Sequence, residues 1–164
     1  MPSRLTMHEI VMPGADELSV HVGVPSDWVT RMVEEPPSFL AHMPEGTAGP
    51  FGDNLIVGVE RLDASAPKEL DELQGLAYVQ AFSSVPDFYA IDDRSLDIAG
   101  EPGWFRASLQ SAPTGITAVN RQIFTRRGDV LVTLSLTTMG LRDREATELF
   151  EDLVDTFNIS ERTS

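Results

Sequence analysis

The feature that most constrains this chain is the run from residue 87 to 138, where alternating apolar and polar residues are cut by glycine-bearing breaks. Segments 87–98, 103–111, 116–126 and 130–138 are separated by Gly100-Glu101-Pro102, Ala112-Pro113-Thr114-Gly115 and Arg127-Gly128-Asp129. Period-two alternation marks strands with one buried face, and breaks this short join antiparallel neighbours, so the run predicts a β meander. Arg127-Gly128-Asp129 has the form of a cell-adhesion tripeptide. Between two alternating runs, however, glycine beside aspartate is what a tight hairpin needs, since both tolerate positive φ, and the tripeptide is read as a turn.

That hairpin decides which side chains share a face. With either a two- or a four-residue loop, Val132, Leu134 and Leu136 fall on one side with Ile123 and Val119, and this side must be core. The other side carries Asn120, Gln122, Thr133, Ser135 and Thr137, with Ala118, Phe124 and Leu131 as apolar company. Short polar groups in a row suit a solvated or partly covered surface, and these five form the candidate partner-binding face.

Two further strands are predicted upstream, LSVHVGV (18–24) and DNLIVGVERL (53–62). Between them, EEPPSFLAHMPEGTAGPFG (34–52) is rich in proline and glycine around Phe39-Leu40, an irregular and mobile excursion with room for one short strand. Pro67, with Ser65 as cap and Glu69, Asp71 and Glu72 in the first turn, predicts a helix over 67–84 that packs Leu70, Leu73, Ala77, Ala81 and Val85 on a sheet. LRDREATELFEDLVDTF (141–157) predicts a second helix, its core stripe Ala146, Leu149, Phe150, Leu153, Val154 and Phe157. Arg144, Glu145, Glu148, Glu151, Asp152 and Asp155 form its solvated side.

A chain of 164 residues can bury about 70% of its unfolded surface, enough for one domain without metals or disulfides, here with its core over about 18–158. Its net charge of −14 repels phosphate backbones and anionic lipid, which argues against nucleic acid and membrane surfaces as partners. The last third, residues 101–164, is the more balanced part, with nine acidic and seven basic residues. Cysteine is absent, removing thiol nucleophiles, thiolate metal sites and lipid attachment through cysteine. No long apolar run occurs, and with Met1 as the natural start the expected location is the cytoplasm.

The motifs of the common hydrolases, NTPases, dinucleotide enzymes and zinc proteases do not occur, and no catalytic, cofactor-binding or metal site is assigned. His8, His21 and His42 lack ligand spacing. Asp87, Asp92, Asp93, Asp97 and Glu101 crowd fifteen residues but do not have the spacing of a calcium loop. On a strand Asp93 and Asp97 share a face while Asp92 points away, which suits a solvated edge that discourages strand addition. Trp28 and Trp104, each near a turn, are read as packing anchors first and pocket walls second.

The order of these pieces resembles the PsbP-like superfamily, and within it the LpqN-type domains. The resemblance rests on VPSDW (24–28), DNLIVGVERL, GEPGWFRASLQ (100–110), GDVLVTLSLTTMG (128–140) and DLVDTF (152–157), and covers about 18–158. The chain departs from it in lacking a lipidation cysteine and in the proline content of 34–52. The resemblance implies an α+β fold, an antiparallel sheet of six or seven strands flanked by helices on both faces. It also implies a non-enzymatic role as adaptor, chaperone or accessory subunit. Two functional readings follow. The first is a binding module, an adaptor or secretion-linked chaperone, that recognises another protein or a second copy of itself through the sheet surface or the 34–52 loop. The second is a small-molecule carrier or modest enzyme with a pocket between the sheet and helix 67–84, walled by Trp104 and Arg106.

Overall fold

The computed structural model describes residues 4–33, 38–44, 52–98 and 100–162. Among these, the meander dominates. Strands β6 (Tyr89–Ile98), β7 (Glu101–Ser111), β8 (Thr117–Arg127) and β9 (Val130–Met139) pair in sequence, each antiparallel to the next. Arg127 pairs with Val130, so the loop has two residues, and Gly128 at its first position takes φ 62°, as a type II′ turn requires. The tripeptide is therefore a hairpin turn. Its Asp129 is held by Arg61 at 2.5 Å, and Arg127 reaches back to Thr125 and the Ile98 carbonyl.

The sheet continues past β9 through β5 (Asn54–Arg61) and β4 (Phe39–His42) to β3 (Val29–Met32), giving the order β3-β4-β5-β9-β8-β7-β6. β4 is the short strand expected in 34–52, while 34–37 and 45–51, where mobility was also expected, lie outside the described residues. One face of this sheet is core. Leu55 and Val57 pair with Leu136 and Leu134, and Ile123 with Leu134, all of them buried.

Three of the sequence expectations need correction. β1 (Leu5–Ile10) and β10 (Asn158–Glu161), neither predicted, flank β2 (Leu18–Pro25) in a second, three-stranded sheet, so β2 is not part of the large one. Glu101 and Pro102 are strand, because Ile98 pairs with Glu101, and β6 starts only at Tyr89, after Asp87 turns the chain with φ 56°. Helix α1 spans Leu70–Ser84 and begins three residues late. Asp63 closes a turn by accepting the Ala66 and Ser65 amides, and the Pro67 carbonyl accepts from Arg126 at 2.5 Å, so neither Ser65 nor Pro67 serves the helix start.

Helix α2 (Asp143–Thr156) lies on the core face, touching β2 and β9, with Ala146, Phe150 and Leu153 buried and Phe150 against Phe105. Gly23 lets it approach β2 closely: its amide donates to Thr156 Oγ1 at 2.8 Å, where a Cβ would sit 3.0 Å from the same oxygen. Val20, Val22 and Val24 of the small sheet join one core cluster with Val57, Leu134 and Leu153. α1 lies on the opposite face, over β7. The architecture is α+β, one helix on each face of the large sheet.

Candidate functional site

Register places the predicted polar row on the face opposite the core. Asn120 pairs with Thr137 and Gln122 with Ser135, and the row is half-buried throughout. Asn120 Nδ2 donates to Ser135 Oγ at 2.8 Å and to Thr137 Oγ1 at 2.9 Å, a cross-strand ladder that answers its own polar groups. Ala118 and Phe124, in the same row, are buried.

Beside this row stands α1. Its expected inner positions Leu70, Leu73, Ala77 and Ala81 do face the sheet, but none of its residues is fully buried. Leu76, Val79 and Phe82 point to solvent, 53%, 61% and 69% exposed. What fastens α1 to the sheet is Arg106. This guanidinium, 1% exposed, donates to Asp93 at 3.2 Å and to both the main-chain and side-chain oxygens of Gln74, and stacks on Tyr78 at 5.1 Å. Trp104 donates its indole N–H to the same Asp93. The two residues expected to wall a pocket under the helix are thus joined through Asp93, and Arg106 ties them to α1. Nε and Nη2 of this buried cation are engaged, while its Nη1 has no hydrogen-bond partner among the described residues.

The acidic cluster is divided by the pleat. Asp92 engages Arg94 at 3.1 Å on one face and Asp93 engages Arg106 on the other, while Asp87 accepts from Ser111 Oγ at 2.7 Å. Asp97 and Glu101 are exposed on β6, an edge strand of the large sheet, and on the start of β7. The histidines are apart as well: His8 packs on Phe39, His21 meets Glu9 at 3.0 Å, and His42 meets the Met43 carbonyl. Among the described residues no three acidic or histidine side chains are placed to share a metal ion, and no helix is long and apolar enough to cross a membrane.

A concave site appears where the sequence reading had placed a solvated helix side. Pro25 ends β2, the Trp28 amide donates to the Pro25 carbonyl at 3.0 Å, and this turn swings Trp28 towards α2. Between them opens a groove of about 660 Å³, which Met43, Asp53 and Arg142 also line. Arg142 donates to Asp53 at 2.6 Å, and the Met139 amide donates to the same oxygen at 3.3 Å. Burial pushes the Asp53 carboxyl above its ordinary range, and Arg142 and the Met139 amide pull against that shift. The signal that could have revealed this groove is Pro-x-x-Trp after a strand: proline ends the ladder and leaves the tryptophan, three residues on, outside it.

No protein-family model and no curated protein matches the chain in sequence. Solved structures do match in shape. LpqN of Mycobacterium tuberculosis, a protein involved in cell envelope biogenesis, superposes with a TM-score of 0.69 at 12% identity, covering 96% of this chain and 92% of its own. Cyanobacterial PsbP from Synechocystis gives 0.67 at 12% identity, over 98% and 95%. The Ran-binding protein Mog1p of Saccharomyces cerevisiae gives 0.58 at 12% identity, over 94% and 96%. Likeness at such identities is likeness of backbone, and with this strand order and a helix on each face of the large sheet the chain has a PsbP-like fold.

Proposed function

We propose that this chain is a non-enzymatic protein-binding module, an adaptor or secretion-linked chaperone, whose partner seats on α1 and the polar row beside it. The observation that carries the reading is the outward stripe Leu76, Val79 and Phe82 on a helix that buries none of its residues. An amphipathic helix held only to cover a sheet turns its apolar residues inward, and apolar side chains turned outward together are the usual mark of a contact surface. Asn120, Gln122, Thr133, Ser135 and Thr137 offer the polar border that such an interface needs. That Mog1p, a Ran-binding protein, is built on the same fold supports the class of function and not the partner's identity.

The test is a photo-crosslinking amino acid placed at Val79 or at Thr133 of the tagged protein in its native cells, with the exposed Asp16, ahead of β2, as the control position. The reading expects one stoichiometric protein product from the first two positions, absent from the third, and lost when Phe82→Asp is added. A purified protein that yields no such product but carries a bound metabolite would overturn it in favour of a carrier.

A further inference from the structure

We propose that the groove between α2 and Trp28 is a second binding site, and that its occupant is a basic segment of a partner protein carrying an apolar anchor. The groove is apolar below and acidic above. Trp28, Ala146 and Leu149 line its floor, and Glu145, Glu148, Glu151 and Asp152 line its rim along α2. Among the described residues the only cation in its lining, Arg142, is engaged by Asp53, so the four rim carboxylates face the opening without compensation from those residues.

Size and spacing fit a peptide. A volume of about 660 Å³ is within the range of roughly 300–1,000 Å³ typical of ligand sites. Glu145, Glu148 and Asp152 follow one helix face at steps of three and four residues, and at about 1.5 Å per residue the row runs some 10.5 Å. An extended segment places alternate side chains roughly 6.6 Å apart, so two of its cations can meet this row. Trp28 supplies both an apolar wall for an aliphatic residue and a ring face for a cation. Charge favours a basic partner over a second copy of this chain as the occupant, since each copy brings −14. The site is on the opposite side of the large sheet from α1, so it stands or falls apart from the reading above.

The probe is an amidated eight-residue peptide alternating leucine and arginine, titrated into the isotopically labelled chain and followed at the Trp28 indole N–H and the amides of α2. A charge-reversed peptide with glutamate for arginine is the control. Two double variants of equal net charge separate local from global attraction: Glu148→Gln with Asp152→Asn in the groove, and Asp97→Asn with Glu101→Gln at the far edge of the sheet. All four positions lie outside the core, so both variants keep the fold. The proposal expects saturable shifts at Trp28 with the basic peptide alone, roughly tenfold weaker binding in the groove variant, and less than a twofold change in the edge variant. It is overturned by shifts that never saturate, by equal weakening in both variants, which would assign the attraction to the whole molecule's charge, or by shifts centred on α1.

Discussion

Arginines show how misleading local composition is about a surface. The last third of the sequence is nearly balanced in charge, yet Arg106, Arg121, Arg126, Arg127 and Arg142 each turn to partners inside the fold: carboxylates, main-chain carbonyls or hydroxyls. The exterior is left more acidic than the count suggests. Arg61 is the exposed counterpart, tying Glu17 and Asp129 together while its Nε donates to the Gly14 carbonyl. Asp129 is held below its ordinary pKa of 3.8 by the Arg61 hydrogen bond. Glu17 is held below 4.5 by its own amide first and by Arg61 next. A carboxylate with a lowered folded pKa contributes stability above its unfolded pKa and loses it as pH falls through the folded one. Arg61→Ala is therefore expected to be less stable than the wild type above pH 4.5, with the gap closing as pH drops below 3.8, as denaturant titrations across that range would reveal. Gly103 illustrates a different constraint. A Cβ there would meet Ile98 Cδ1 at 2.1 Å and the Phe124 carbonyl at 3.1 Å, so Gly103→Ala is expected to cost about 1–3 kcal/mol in urea unfolding, as overpacking does. An unchanged midpoint would mean that Ile98 has another rotamer available.

The two helices are of similar length and opposite character. α2 was legible residue by residue: Ala146, Phe150 and Leu153 were expected in the core and are buried there. α1 was legible as a helix and in the face it turns to the sheet, but not in how little that face buries, because periodicity reports direction and not depth. Its start was misplaced because Pro67 also has a carbonyl, and Arg126, fifty-nine residues away, takes it. The contrast is measurable. Leu153→Ala, at a fully buried site, is expected to cost about 2–5 kcal/mol, whereas Val79→Ser on α1 should change stability by no more than about 0.5 kcal/mol. A large loss from Val79→Ser would show that α1 packs more tightly than this and would remove the outward stripe as an interaction surface.

At the scale of the molecule, the two sheets and α2 share one hydrophobic cluster, although strands that pair within the small sheet come from opposite ends of the chain. A shared core couples its parts, so the chain is expected to unfold in a single transition when circular dichroism and tryptophan fluorescence are followed together in denaturant. Two separated midpoints would mean that the small sheet is an independent unit. α1, held by Arg106 and few other contacts, is expected to exchange its amides ahead of that global event.

By itself the sequence determined the meander, the Arg127-Gly128-Asp129 turn, the inward and outward faces of β8 and β9, and the presence of both helices, since each of these follows from spacing within some twenty residues. From the resemblance it also carried the PsbP-like layout. What only the tertiary structure decided are the long-range matters. β1 and β10 are short, and they become strands because β2 offers both of its edges to them. For Arg106, spacing gave no sign that Gln74, Tyr78 and Asp93 would come from two other elements to engage the guanidinium. Glu145, Glu148 and Asp152 read as a solvated helix side until the Pro25–Trp28 turn faces them across a groove. Local periodicity records which way a side chain points along its own element; what stands opposite it depends on residues far away in the chain, and no spacing in the sequence encodes that distance.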